Sequence, residues 1–369
     1  MHRGVIAEID LGAVAANLRT VRSLSSSSAV IAVVKADAYG HGAVEVSKTL
    51  VSNGADYLAV AFTEEAGNLR EAGITAPIIV LFDPDIDDVM QYGLIPVLSD
   101  MKSARYFARE AEKRGAAMPV HIKVDTGMGR LGLADHPAKD ILEIASRKGI
   151  IIEGVMSHLS EADLVDSSFA KIQIDSFAAL KSELHQNGLD VKTYHMANSA
   201  AVLKIPESHF DAVRPGIMLY GYSPIQQSTT GTRPAAPLQP VMTVKARIIS
   251  LRRLGAGTPI SYARTYVTKR ESLIGVIAVG YADGFSTRFS NNAEVLVKGM
   301  RAPVVGRVCM DVIMIDLTDI DGVNENDEVV IIGSQGAESI GADELARRIQ
   351  TIPYEILTSL GSRAKRKYL

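Results

Sequence analysis

Val30-Ile31-Ala32-Val33-Val34-Lys35 reads as a buried strand that ends on a lysine, and Ala36-Asp37-Ala38-Tyr39-Gly40-His41-Gly42 follows it as the opening of a helix. A short unbroken apolar run bounded by glycine fits a strand inside the protein. The same unit recurs along the first two thirds of the chain. Further strands are expected at Tyr57–Ala61, Pro77–Leu81, Ile95–Leu98, Pro119–Val124, Ile151–Met156, Lys192–His195 and Phe210–Val213. With the first, that makes about eight, the number a (β/α)8 barrel requires. Helical patterns lie between them. Ala43–Val51 has a half-apolar face at Val44, Ser47, Lys48 and Val51, and Met101–Lys113 is a second such stretch. Lys35, Asp125, His158, Asn198 and Arg214 each fall just past a strand end. In a barrel that is the catalytic face.

From Tyr222 to Pro240 the sequence turns to Ser, Gln, Thr, Gly and Pro and loses both periods, which marks a linker. The expected division is therefore a barrel domain at 1–232 and a smaller, mostly β domain at 233–369. Strand-like runs without helices between them support the second part: Val241–Leu251, Leu273–Val279, Glu294–Val297, Val304–Asp316 and Glu328–Ile332. Ala342–Ser359 reads as helical, with Pro353 set against an uninterrupted helix.

Two domains also suit 369 residues, because single cores stop growing near about 250–300. Lys plus Arg number 39 against 42 Asp plus Glu, a net charge of −3 that argues against nucleic acid as the main partner. The 47% hydrophobic and 22% charged residues exclude a disordered or fibrous chain. The lone Cys309 excludes an intramolecular disulfide and fits a reducing cytoplasm. No run approaches the roughly 20 apolar residues of a membrane span. Glu8 and Asp10 interrupt the N-terminus before any signal-peptide core could form.

Lys35 is the first candidate for chemistry. An amine projecting from an apolar floor has its charged form disfavoured, so its free base becomes available as a nucleophile or Schiff-base partner. A solvated lysine at a strand end is the plain alternative. Cys309 reads as a packed thiol, and no metal-ligand set accompanies His158.

Val34-Lys35-Ala36-Asp37-Ala38-Tyr39-Gly40-His41-Gly42 resembles the pyridoxal phosphate lysine motif of the alanine racemases. The likeness continues through Asp125-Thr126-Gly127-Met128-Gly129-Arg130-Leu131-Gly132, His195-Met196-Ala197-Asn198-Ser199-Ala200 and Arg214-Pro215-Gly216-Ile217. It extends to Ser261-Tyr262-Ala263-Arg264-Thr265-Tyr266, Gly280-Tyr281-Ala282-Asp283-Gly284 and Cys309-Met310-Asp311. Seven ordered motifs span nearly the whole chain. The resemblance implies a (β/α)8 TIM barrel followed by a β domain, in a homodimer whose active sites are completed across the interface. The implied reaction interconverts L-alanine and D-alanine with pyridoxal 5'-phosphate, supplying D-alanine for peptidoglycan or serving alanine catabolism.

The same resemblance assigns roles. Lys35 would carry the cofactor and act as one base, and Tyr262 of the partner subunit would be the other. A free phenol titrates near about 10 and is a poor base at neutral pH without nearby cations, which draws attention to Arg264. Arg214 would donate to the pyridine nitrogen and keep it unprotonated, and His158 would stack on the ring. Tyr39, Asn198, Ser199, Gly216, Ile217 and Tyr354 would complete the cofactor site, most of them around the phosphate. Arg130 would meet the cofactor's phenolic oxygen and the substrate carboxylate, and Lys123, carbamylated in many members, would orient it as an anion. At the substrate end, the Met310 backbone amide would meet the substrate carboxylate, Asp311 would organise that loop, and Tyr281 and Tyr354 would narrow the entrance. Two positions depart from the family pattern: Ala263, where glycine is commoner, and Thr358, where many members carry a small residue or cysteine. The alternatives are a racemase of broader specificity, a noncatalytic pyridoxal phosphate protein, and a decarboxylase of the same two-domain plan.

Overall fold

The structure is a computed structural model that describes residues 4–25, 27–225 and 237–369. The linker boundary at 232/233 lies outside the described residues. The chain divides into two compact units: one comprises Val14–Ala38 and Ala43–Gln239, the other the segment ending at Ala13, Tyr39–Gly42 and Pro240–Leu369.

The first strand, β1 (Ile6–Ile9), belongs to the second unit. The first unit is the expected barrel. It contains β2 (Ala29–Val33), β3 (Tyr57–Val60), β4 (Ile78–Val80), β5 (Ile95–Leu98), β6 (Met118–Lys123), β7 (Ile150–Met156), β8 (Thr193–His195) and β9 (Ala212–Val213). These eight strands close on themselves, every neighbour parallel, with β9 pairing back onto β2. Every expected strand is present. The eighth is shorter than its sequence suggested because Phe210 takes a left-handed φ of 46° and cannot extend the ladder.

The helix Met101–Lys113 forms with the expected bounds, its N-cap Asp100 accepting from Ser103 N at 2.8 Å. The helix Ala43–Ser52 also forms, but the expected face is corrected. Val46, Ser47 and Leu50 are buried, while Lys48 is exposed and paired with Glu45 at 2.8 Å. The i,i+4 pair Val46 and Leu50 outweighs the weaker stripe one residue away. Nor does Ala36 open a helix of ordinary hand. Ala36, Asp37, Ala38 and Tyr39 all have φ between 52° and 55°, a left-handed turn.

The second unit is built on β10 (Met242–Leu254), followed by β11 (Pro259–Ile260), β12 (Tyr266–Val267), β13 (Ser272–Ile277), β14 (Glu294–Val297) and β15 (Met300–Pro303). Then come β16 (Ile313–Asp316), β17 (Glu328–Gln335), β18 (Glu338–Ile340) and β19 (Lys365–Tyr368). The main path runs β15-β14-β17-β10-β1-β19. Thus β1 pairs antiparallel with β10 and parallel with β19, so the two ends of the chain share one sheet. The single strand expected over Val304–Asp316 is corrected: only Ile313–Asp316 is strand. Gly306 turns with φ 78°, and Cys309 N bonds Val312 O at 3.0 Å, making a loop of the rest. The final helix is interrupted as Pro353 demands, into Ala342–Ile349 and Pro353–Arg363. Gln350 closes the first piece with φ 57°. Among the described residues no helix is long and apolar enough to cross a membrane.

Candidate active site

In the barrel unit the strand ends gather a set of cations with few anions. Lys35 follows β2, and its left-handed turn is held by one carboxylate. Glu65 accepts from Ala36 N at 2.6 Å with one oxygen, and from Ala61 N at 2.6 Å with the other. Asp37 accepts from Ala43 N at 2.7 Å, and Ala38 N reaches Val34 O at 2.9 Å. Left-handed residues other than glycine cost about 1–2 kcal/mol each, so these bonds hold a conformation that the residues disfavour. Burial, and then the Arg130 charge, pull the Lys35 amine below the usual lysine range, with Glu65 opposing.

Arg214, directly after β9, is 4% exposed and sits in a dense polar network. Its Nη1 donates to His195 Nδ1 at 2.8 Å, and its Nη2 to Ser157 O at 2.6 Å and Met196 O at 3.2 Å. Nη2 also faces His158 Nδ1 at 3.2 Å. Behind His195, its Nε2 meets His121 Nδ1 at 2.8 Å. Burial first, then the Arg214 charge, hold all three histidines below their ordinary range, His121 at about 3. They are neutral at physiological pH. Arg214 itself is drawn downward by burial and by Arg130, yet a guanidinium keeps its proton. Among the described residues, its Nε–H and second Nη1–H have no protein acceptor.

Lys123, at the end of β6, is 2% exposed, and its side-chain amine makes no hydrogen bond or ion pair among the described residues. Burial, then Arg214 and Arg130, lower its amine to about 8. Two residues on, Asp125 ties its glycine-rich loop by accepting from Gly127 N at 2.9 Å and Met128 N at 2.7 Å. Arg130 lies in that loop and is exposed.

Beyond β8, Asn198 caps the helix Ser199–Lys204, accepting from Ala200 N and Ala201 N at 3.1 Å each. Its side-chain oxygen is therefore committed to the helix. Ser199 Oγ accepts from Gly216 N at 2.8 Å and Met218 N at 3.4 Å, and Ile217 begins the short turn Ile217–Tyr220. This draws the tops of the last two strands into one nest of amides and a hydroxyl, a chemistry suited to an anion. Gly216 has φ −121°, so no left-handed backbone demands glycine there.

The second unit carries a separate set. Tyr262 stands on the turn of the β11–β12 hairpin with 69% of its surface exposed. The hairpin is rooted by Ile260, buried with Ile274 and Val305. Ser261 Oγ ties the turn to Arg307 O at 2.7 Å. Ser261, Ala263 and Arg264 have φ of 64°, 58° and 53°. Position 263 is thus one where glycine is at ease, which accounts physically for the family preference that Ala263 breaks.

Tyr262, Ser261, Cys309, Met310 and Asp311 share the lining of a concavity of about 780 Å³. Tyr281 N bonds Cys309 O at 3.0 Å and Ala282 N bonds Met310 O at 2.9 Å. A Cβ on Gly280 would lie 2.2 Å from Met310 O, so glycine is required for the two motifs to meet. Asp311 pairs with Arg363 at 3.3 Å, and Arg363 also reaches Asp283 at 3.6 Å. The Tyr39 and Tyr354 rings lie 5.8 Å apart, and Tyr39 is buried, which pushes its phenol upward.

Every sequence-chosen residue therefore falls in one of two clusters. Lys35, Lys123, Arg130, His158, Asn198, Ser199, Arg214, Gly216 and Ile217 lie in the barrel unit, and Tyr39, Tyr262, Tyr281, Met310, Asp311 and Tyr354 lie in the β unit. Sequence reasoning missed Glu65, Phe82, His121 and Arg363. His121 alternates with Lys123 on β6, so an inward polar residue beside an inward lysine was a readable signal. A lysine amine lowered by burial and a buried arginine with spare donors, set at the strand ends of a closed barrel and followed by a β domain, define a barrel enzyme that handles anionic, nitrogen-containing small molecules.

The sequence matches the family profiles "Alanine racemase, N-terminal domain" over residues 9–224 and "Alanine racemase, C-terminal domain" over 241–368. It is 50% identical to an alanine racemase of Thermodesulfovibrio yellowstonii over 373 aligned residues, covering 100% of this chain and 99% of that protein. The Bacillus anthracis alanine racemase solved with bound L-Ala-P superposes with a TM-score of 0.89 at 37% identity, covering 100% of this chain and 96% of the other. The Bartonella henselae alanine racemase, solved with covalently bound pyridoxal phosphate, gives 0.88 at 32%, with both chains fully covered. The chain belongs to the alanine racemase family.

Proposed function

We propose that this protein interconverts L-alanine and D-alanine, with pyridoxal 5'-phosphate held on Lys35. The observation that carries the reading is the Lys35 amine, lowered by burial and by Arg130 and presented on a turn that Glu65 holds. The barrel unit's donor set fits the cofactor. The spare Arg214 donors suit a neutral ring nitrogen, the Ser199 hydroxyl, which accepts from Gly216 N and can donate its own proton, suits a phosphate, and the uncharged His158 suits a flat ring. When bound, pyridoxal phosphate supplies an electron sink for charge developing at the substrate α carbon.

The chain's own residues supply the rest. Lys35 Nζ holds or releases a proton on one face of the α carbon. The Tyr262 phenol of a second copy does so on the other, in a homodimer with shared sites. Its exposure on a rooted hairpin suits a residue that works outside its own unit. Arg214, a fixed cation, keeps the ring nitrogen from being protonated and so limits side reactions. Arg130 receives the substrate carboxylate, with the Met310 amide as a further contact, and Asp311 organises that loop through its pair with Arg363. Tyr281 and Tyr354 narrow the entrance for a small side chain, and Tyr39 adds its hydroxyl at the phosphate.

Lys123 supports a further element. Near pH 8 half of its amine is free base, which adds to carbon dioxide and releases one proton, giving a carbamate anion between Arg130 and Arg214. An unmodified cation there would repel both. The lone Cys309 fits the cytoplasm as the site of action.

The test is chiral and spectroscopic. The purified protein with pyridoxal phosphate should form D-alanine from L-alanine and show an absorption band near the visible edge that Lys35→Ala abolishes. Carbon dioxide release without D-alanine would favour the decarboxylase and overturn the reading.

A further inference from the structure

Arg130 lies on a loop that carries Gly127, Gly129 and Gly132, all with positive φ. Asp125 fastens the loop's backbone, but among the described residues the Arg130 guanidinium makes no hydrogen bond and no ion pair. An aromatic ring lies against it instead. Arg130 Cζ lies 5.5 Å from the centroid of Phe82, and Lys35 Nζ lies 5.4 Å from the same centroid. Phe82 follows β4, its backbone N bonded to Ala61 O at 2.9 Å, and Phe62 braces its ring at 6.3 Å with a 51° tilt.

Two like charges repel, and an exposed arginine on a glycine-rich loop samples many rotamers. A phenyl face removes that freedom because guanidinium is weakly hydrated and stacks on aromatic surfaces. We propose that Phe82 is a positioning residue: its ring carries the flat face of the Arg130 guanidinium beside the Lys35 amine and leaves the N–H edge to the Lys123 carbamate proposed above and to the substrate carboxylate. The proposal rests on the racemase reading for the identity of that carboxylate, but the ring contact itself does not.

Phe82→Leu keeps the apolar bulk and removes the aromatic face. In the holoenzyme, KM for both L-alanine and D-alanine should rise about fivefold, with kcat changed less than about twofold, the scale of a partly buried cation–π contact. F82Y and F82W should restore both values, and F82L should add almost nothing in an R130K background. Independently of turnover, phenylglyoxal should modify Arg130 about threefold faster in F82L than in wild type or F82Y, followed by peptide mass spectrometry of the full chain. Folded F82L protein with unchanged Arg130 labelling overturns the platform. Faster labelling with unchanged KM overturns its positioning role, as does a loss that F82Y fails to restore. If the wild-type protein does not racemise alanine, the functional reading fails, while the labelling still judges the platform.

Discussion

Arg214 Nη1 and His195 Nδ1 lie 2.8 Å apart with both residues buried, and that contact fixes the proton positions of a whole chain of groups. An arginine can only donate, so His195 Nδ1 accepts and its proton sits on Nε2. Nε2 then donates to His121 Nδ1 at 2.8 Å, which leaves the His121 proton on its own Nε2. That atom is buried with no partner among the described residues. His158 likewise accepts at Nδ1 from Arg214. The ordered tautomers let one buried cation stand among three imidazoles without any of them becoming charged.

Acid should therefore destabilise the barrel early. His121 titrates at about 3 in the folded protein against about 6.5 unfolded, so the unfolded chain binds the extra proton between these values. Stability is fully present above about pH 6.5 and is lost as pH falls towards 3, at about 1.4 kcal/mol per pH unit for this one residue. Urea melts of the wild type and His121→Asn from pH 7 to 4.5 measure the slope. The variant should be shallower by that amount, and parallel profiles would contradict the assignment.

Glu65 should prove indispensable to the Lys35 turn. Its Oε1 accepts from Ala36 N at 2.6 Å, and its Oε2 from Ala61 N at 2.6 Å and Phe62 N at 3.3 Å. A carboxamide can accept with only one, so Glu65→Gln should cost about 2 kcal/mol and Glu65→Ala about 3. Cofactor retention in dialysis should weaken in the same order. Retention equal to wild type in Glu65→Ala would show that the left-handed turn stands without it.

The barrel was legible because its strands are continuous apolar runs and its chemistry falls just past their ends, as at Lys35 and Arg214. Tyr262 and Met310 were legible only through motif resemblance, since nothing in their local periodicity marks a site. The membership of β1 in the terminal sheet was not readable. Ile6–Ile9 pairs with β10, more than 230 residues away in sequence, and a four-residue strand carries no sign of its distant partner. The left-handed turn at Ala36–Tyr39 was hidden for a different reason. Its residues prefer other conformations, and the Glu65 carboxylate that holds the turn comes from another βα unit.

Lys123 should carry a carbamate in an amount that rises with pH. The amine is lowered to about 8, so at constant dissolved carbon dioxide the reactive free base grows from pH 6.5 to about 8.5. Protein equilibrated with 13C-labelled bicarbonate should show a carbamate carbon resonance that disappears in Lys123→Ala and on acidification. Well-ordered density at Lys123 Nζ accounting only for a bare amine, at pH 8 with bicarbonate present, would remove this anion from the site.

Tyr262 should govern one direction of the reaction more than the other. A single base on one face can take and return a proton only there, so racemisation needs a second group opposite Lys35. Tyr262→Phe removes a hydroxyl from a residue that is 69% exposed, so the fold should be unaffected, within about 0.5 kcal/mol. Its effect should fall on chemistry alone. Exchange of the α hydrogen with deuterated water should drop by at least about a hundredfold from one enantiomer, while exchange from the other, served by Lys35, changes far less. Mixed dimers of Lys35→Ala and Tyr262→Phe chains separate the geometries. If the phenol acts across the interface, one site in each mixed dimer receives both intact groups and activity returns to about half of wild type. If it acts within its own chain, neither site is whole and none returns.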